Sequence, residues 1–169
     1  LPSTRSPKRP MEITDVDILK ITIRIEREGA NFYKDLAMHV TDANTKEFLL
    51  CMSKEESLHE NQFQKILQSK NTNHYGWENQ KRISDMIESQ FQTDIFPKVD
   101  EIFRNFPKVK GFQKAVELAI EAEKVSGEFY SLLGEYCSNF EAKTLLLSME
   151  KNERDHLAQI EILKKTFSI

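Results

Sequence analysis

Apolar residues recur at helical spacing in four long stretches of this chain, and each stripe is broken by an acidic residue. In the first, Leu19, Ile23, Ala30, Tyr33 and Ala37 fall three, four or seven positions apart and share a face with Glu26. In the second, Leu49, Met52, Phe63 and Ile66 share theirs with Glu56 and His59. Val116, Ile120 and Tyr130 surround Glu123 in the third, and Leu146, Met149, Ile160 and Leu163 surround Glu153 and His156 in the fourth. The spacing predicts a helix from a Thr14–Asp17 capping box to about Val40, then a second from caps at Thr41 and Asp42 to about Ser69. A third is expected from about Gly111 to Tyr136, and a fourth from a Ser138–Glu141 capping box to about Thr166.

Between the second and third stripes the pattern changes. His74, Gly76, Trp77, Pro97 and Pro107 divide residues 71–110 into short pieces, with helical turns expected around Ile83–Phe91 and Val99–Phe103. A connection of that length is far more than an antiparallel neighbour needs, but it suits two hairpins whose inner helices run parallel. The predicted fold is therefore an all-α four-helix bundle with a long crossover between its second and third helices. A second apolar stripe on the first helix, Ile18, Ile21, Ile25, Phe32 and Leu36, requires cover from the crossover or from another subunit; the latter would make a homodimer.

Composition narrows the function classes. The 169 residues suffice for one domain, here 14–169, after a disordered tail at 1–13 in which three of the five prolines lie and Met11 is a candidate natural start. A net charge of −3 with dispersed Lys and Arg offers no basic stripe for nucleic acid, and no window is apolar enough to span a membrane. Two cysteines, Cys51 and Cys137, form neither a disulfide framework nor a C-x-x-C knuckle, which suggests a reducing, cytoplasmic setting and small buried or half-buried side chains.

The halves repeat. TIRIEREGANFY (22–33) aligns with AIEAEKVSGEFY (119–130), placing Glu26 on Glu123 and Tyr33 on Tyr130 at an offset of 97. The same offset carries Glu56 to Glu153 and His59 to His156, together with Leu49, Met52, Lys54 and Gln62 to their counterparts. One E-x-x-H is an ordinary feature of charged helices; two at a fixed offset on apolar faces imply a pseudo-twofold centre. Glu26 and Glu56 stand fifteen positions either side of Thr41, as Glu123 and Glu153 stand either side of Ser138. At 1.5 Å per residue, each pair sits roughly 22 Å from its turn, so antiparallel hairpins bring the pairs to one level.

Four carboxylates converging in an apolar interior repel one another and raise one another's pKa values. Two divalent cations cancel their charge, with Glu26, Glu56, His59, Glu123, Glu153 and His156 as ligands. Tyr33 and Tyr130, two turns beyond their glutamates, are either core tyrosines or donors that orient ligand carboxylates. Glu55 and Asn152, preceding the motif glutamates, stand where they could reach a histidine nitrogen. Gly29–Ala30 and Ser126–Gly127 either allow close helix packing or leave room for dioxygen or peroxide. His39 and His74 lie off the ligand faces, and Arg24, Lys34 and Asp35 belong to the solvated circumference.

With E-x6-Y at Glu26–Tyr33 and Glu123–Tyr130, and E-x-x-H at Glu56–His59 and Glu153–His156, residues 14–166 resemble the ferritin-like diiron domain of the rubrerythrin family. The resemblance implies two iron ions on those six residues, although zinc or manganese suits the same donors. It also implies reduction of hydrogen peroxide with electrons from a rubredoxin-like or iron–sulfur partner, as protection from oxidative stress. Iron binding or storage, with ferroxidase-like or no sustained turnover, is the alternative. Two departures accompany it: the paired C-x-x-C motifs of a rubredoxin-like domain are missing, so the donor is external. Where the family carries a further glutamate on the third helix, this chain has Ser126, leaving a six-residue core closer to the ferritin pattern.

Overall fold

The computed structural model describes residues 12–69 and 74–166, and contains helices but no strand among them. Residues 1–11 of the expected tail lie outside the described residues; Ile13 already packs against the core. Four long helices, α1 (Asp15–Ala37), α2 (Ala43–Gln68), α5 (Lys108–Tyr136) and α6 (Phe140–Thr166), form two hairpins, α1 with α2 and α5 with α6. Two short helices, α3 (Lys81–Gln90) and α4 (Val99–Asn105), make up the crossover.

Local chemistry sets the ends. Thr14 and Asp17 form the expected capping box, with Thr14 Oγ1 accepting from the Asp17 N–H and Asp17 Oδ2 accepting from the Thr14 N–H. Asp42 caps α2 by accepting from the Thr45 N–H and hydroxyl. At the other hairpin the expected cap is displaced by one residue. Asn139 Oδ1 accepts from the Ala142 N–H at 2.9 Å, whereas Ser138 turns away, its N–H and hydroxyl donating to the Tyr75 and His74 carbonyls. Ser138 thus ties the second turn to the start of the crossover. Helix α5 begins three residues before the expected Gly111, because Pro107 presets the extended entry and its carbonyl accepts from the Gly111 N–H. Gly111 serves packing: a Cβ there would lie 3.0 Å from the Phe103 ring of α4.

The crossover is held at three places along α1. The buried Asp15 carboxylate accepts from the Tyr75 and Trp77 N–H groups, and the Trp77 indole donates to the Leu133 carbonyl at 2.9 Å. Gly76 between them adopts φ 90, and its missing Cβ would meet the Tyr136 carbonyl oxygen at 2.6 Å, so both backbone and space require glycine. Arg24 donates to the Phe91 carbonyl, and Glu28 accepts from the Ile95 and Phe96 N–H groups. Arg24 is therefore half-buried and engaged, contrary to its expected place among the solvated residues.

These anchors lay α3 and α4 over the second apolar stripe of α1. Ile18 and Ile25 join Trp77, Ile83, Ile87 and Phe91 in one core cluster, while Phe32 and Leu36 join Phe96, Val99 and Ile102 in another. The crossover, rather than another subunit, covers the stripe. Each fully buried Ile, Leu or Phe contributes about 1.5–3 kcal/mol relative to exposure, so the crossover is part of the core. Cys137 is buried as expected, but Cys51 is exposed on α2, outside the stripe formed by Leu49 and Met52. No helix among the described residues is long and apolar enough to cross a membrane.

Candidate metal centre

All six residues singled out by the repeat meet inside the bundle. Glu26, Glu56, His59, Glu123, Glu153 and His156 are each between 0% and 6% exposed. Their donor atoms fall into two groups, Glu26, Glu56, His59 and Glu153 in one, and Glu56, Glu123, Glu153 and His156 in the other. Within each group the atoms lie within 4.8 Å of one another. Glu56 and Glu153, the two motif glutamates, belong to both. Glu26 with His59 and Glu123 with His156 complete one group each, so the internal twofold of the sequence is also that of the site.

The interior is polar without being satisfied. Glu26 Oε2, Glu56 Oε1, Glu123 Oε2, and Nδ1 of His59 and of His156 are buried with no hydrogen-bond partner. His59 Nδ1 stands 3.5 Å from Glu26 Oε2, and His156 Nδ1 3.4 Å from Glu56 Oε1. Leaving a buried polar group unpaired costs about 1–3 kcal/mol, and these five atoms face one another. Four carboxylates and two imidazoles with inward-facing lone pairs form a donor set that fits two metal ions, each held by oxygen and imidazole nitrogen.

Electrostatics record the same crowding. Burial, followed by the charges of Glu26 and Glu123, pushes the Glu56 carboxyl well above the usual range. Burial likewise raises Glu123, to about 8. Burial also pushes Glu26 upward, but interactions with Glu56, His59 and Tyr130 more than offset it and hold that carboxylate below its ordinary value. Without cations, the centre accommodates itself by holding protons on some of its carboxyl groups.

The supporting groups cross between hairpins. The Tyr33 hydroxyl of α1 donates to Glu123 Oε1 on α5 at 2.5 Å, and the Tyr130 hydroxyl of α5 donates to Glu26 Oε1 on α1 at 2.8 Å. Burial and the nearby carboxylates raise both phenols well above their normal pKa, which keeps them protonated as donors. Outside the histidines, Glu55 of α2 contacts His156 Nε2, and Asn152 of α6 lies 3.1 Å from His59 Nε2. Ser126, buried, donates to the Glu123 carbonyl and reaches Glu153 Oε2 at 3.4 Å.

The two small-residue pairs have different fates. A Cβ on Gly29 would lie 3.2 Å from the Phe96 ring and 3.4 Å from Glu56 Cδ, so glycine there admits the crossover against the site. A Cβ on Gly127 would meet only Glu153 Cβ, at 3.8 Å. Gly127 borders a groove of about 570 Å³ between α3, α5 and α6 that reaches Glu123 and Glu153. Gly29 is closed by packing, whereas Gly127 stays open to the groove. His39 stacks on Phe103 away from the centre. His74 lies with Asp15 and Glu78 at the end of the bundle, a grouping not anticipated from sequence because only the crossover fold assembles it. There the Asp15 oxygens are already taken by backbone N–H groups.

The comparisons agree with this geometry. The rubrerythrin family model matches residues 17–164. A Thermotoga maritima protein, named as a ferritin-like diiron-carboxylate protein, is 25% identical with a TM-score of 0.69, covering 94% of this chain and 98% of that one. A hypothetical protein from Pyrococcus furiosus, 22% identical with a TM-score of 0.65 over 90% of this chain and 89% of its own, shares the fold. No curated protein matches. With its family model extending across both hairpins and the crossover, the chain belongs to the rubrerythrin family.

Proposed function

We propose that the protein is a non-haem diiron oxidoreductase that reduces hydrogen peroxide or dioxygen with electrons from a separate donor protein. The observation that carries this reading is the pair of buried donor groups sharing Glu56 and Glu153, with five unpartnered atoms turned inward. Glu26 and His59 on one side and Glu123 and His156 on the other, together with Glu56 and Glu153, would hold the two ions. Two ferrous ions, when bound, supply the two electrons that convert peroxide and two protons to two waters.

The chain's own residues prepare that chemistry. Glu26 and Glu123 are fixed by Tyr130 and Tyr33, so their free oxygens are presented at set positions. The four carboxylates are almost wholly buried, and the groove beside Gly127 would give a small oxidant a path to them. The alternative, binding or storage of iron with little turnover, draws on Ser126: a hydroxyl group, rather than a further carboxylate, stands beside Glu123 and Glu153.

Anaerobic reconstitution with ferrous iron tests both readings. The proposal expects about two ions per chain, stoichiometric oxidation by peroxide, and repeated turnover when a reductant system is added. Oxidation without repeated turnover favours storage; no reaction with peroxide ends the oxidoreductase reading. In the same assay Glu123→Ala lowers metal content, while Glu128→Ala, on the exposed side of α5, leaves it unchanged.

A further inference from the structure

The centre is symmetric in its six inner residues but not in the groups behind its histidines. The offset that relates the two halves carries Glu55 to Asn152, so a carboxylate and an amide occupy equivalent places. Each reaches across the bundle to the other hairpin's histidine: Glu55 on α2 to His156 Nε2, Asn152 on α6 to His59 Nε2. In both rings Nδ1 faces inward without a partner. Resting on the dimetal reading above, we propose that this substitution makes the two metal positions unequal. The Glu123–His156 position takes a divalent cation first and more tightly, and Glu55 is the positioning residue that sets the order.

The tautomer of each ring decides what its outer nitrogen requires. A histidine that ligates through Nδ1 carries its proton on Nε2 and needs an acceptor there. Behind His156 that acceptor is a carboxylate, which makes a charge-assisted hydrogen bond, fixes the ring and adds negative charge near the cation. Behind His59 the group is a neutral amide. Asn152 places its nitrogen towards Nε2, so ligation by His59 requires the amide to turn over and present Oδ1. The amide then orients the ring but adds no charge. The Glu55 side chain is 55% exposed, so solvent screens part of its effect. Outer partners of metal-bound histidines are worth about 10–100-fold in affinity, and the lower end, about tenfold, applies to a half-exposed carboxylate.

Anaerobic titration of the metal-free protein with Co(II), followed by its ligand-field absorption and by calorimetry, reads the two positions without any turnover. The expected result for the wild type is two resolved steps at least about tenfold apart in Kd. Glu55→Gln keeps the shape, removes the charge and closes the gap by weakening the tighter step. Asn152→Asp closes it from the other side by tightening the weaker step. Two equal steps in the wild type, or a gap unchanged in both variants, overturns the inference while leaving a dimetal centre standing. Failure of the wild type to bind Co(II) overturns the dimetal reading and this inference with it. Neither variant alters an inner residue, and unchanged helicity and thermal midpoint of the metal-free forms exclude a folding effect.

Discussion

Removing the metals should make the protein less stable as pH rises, and the size of the effect follows from one side chain. Glu123 is raised by burial from an ordinary 4.5 to about 8. Between those values the folded metal-free chain holds a proton that the unfolded chain has released, so stability is greatest below the lower value and falls as pH climbs through the window. A shift of this size corresponds to about 5 kcal/mol at roughly 1.4 kcal/mol per unit. For a chain of this length, that is on the order of 10 °C in thermal midpoint between pH 5 and pH 8.5. Glu56, raised in the same direction, adds to the fall. Bound cations displace those protons, so the loaded protein should show the opposite trend over the same range. The single tryptophan, Trp77, is buried and stacked on Tyr75 with ring centroids 5.0 Å apart, which makes its fluorescence a direct probe of unfolding. Glu123→Gln, neutral at every pH, should flatten the metal-free curve. A midpoint for the metal-free wild type that stays level or rises from pH 5 to 8.5 would refute the reasoning.

Other substitutions separate packing from chemistry. Tyr130→Phe strips Glu26 Oε1 of its donor and should lower the stability of the metal-free protein by about 1–3 kcal/mol in denaturant titration. Asp15→Ala leaves the Tyr75 and Trp77 N–H groups without their acceptor, and should cost roughly 3 kcal/mol and red-shift the Trp77 emission as the crossover loosens. Gly127→Phe should fill the groove and slow peroxide oxidation of the iron-loaded protein in stopped flow, with metal content held at the wild-type value. Unchanged kinetics would show that the oxidant arrives by another path.

The four long helices and the six inner side chains were legible in the chain itself, and the reason is periodicity. A helix face repeats every three or four residues, so a glutamate within an apolar stripe declares its direction, and a constant offset of 97 declares that two hairpins share a centre. Thr14–Asp17 and Asp42 were equally readable, because capping is a contact between residues three apart. What the sequence left open depends on partners distant along the chain. Whether the second face of α1 met the crossover or another subunit was settled by Asp15, Arg24 and Glu28, which bind backbone groups about sixty positions away. Ser138 resembled a cap until the Tyr75 carbonyl claimed its N–H.

The same division runs through the site. Sequence placed Tyr33 and Tyr130 on the correct faces, but only the folded bundle pairs each with the other hairpin's glutamate. It likewise decided that Gly29 is closed by Phe96 while Gly127 stays open to a groove. Local spacing fixes which way a side chain leaves its helix; which group it then meets is fixed by how the helices cross, a property of the assembled core.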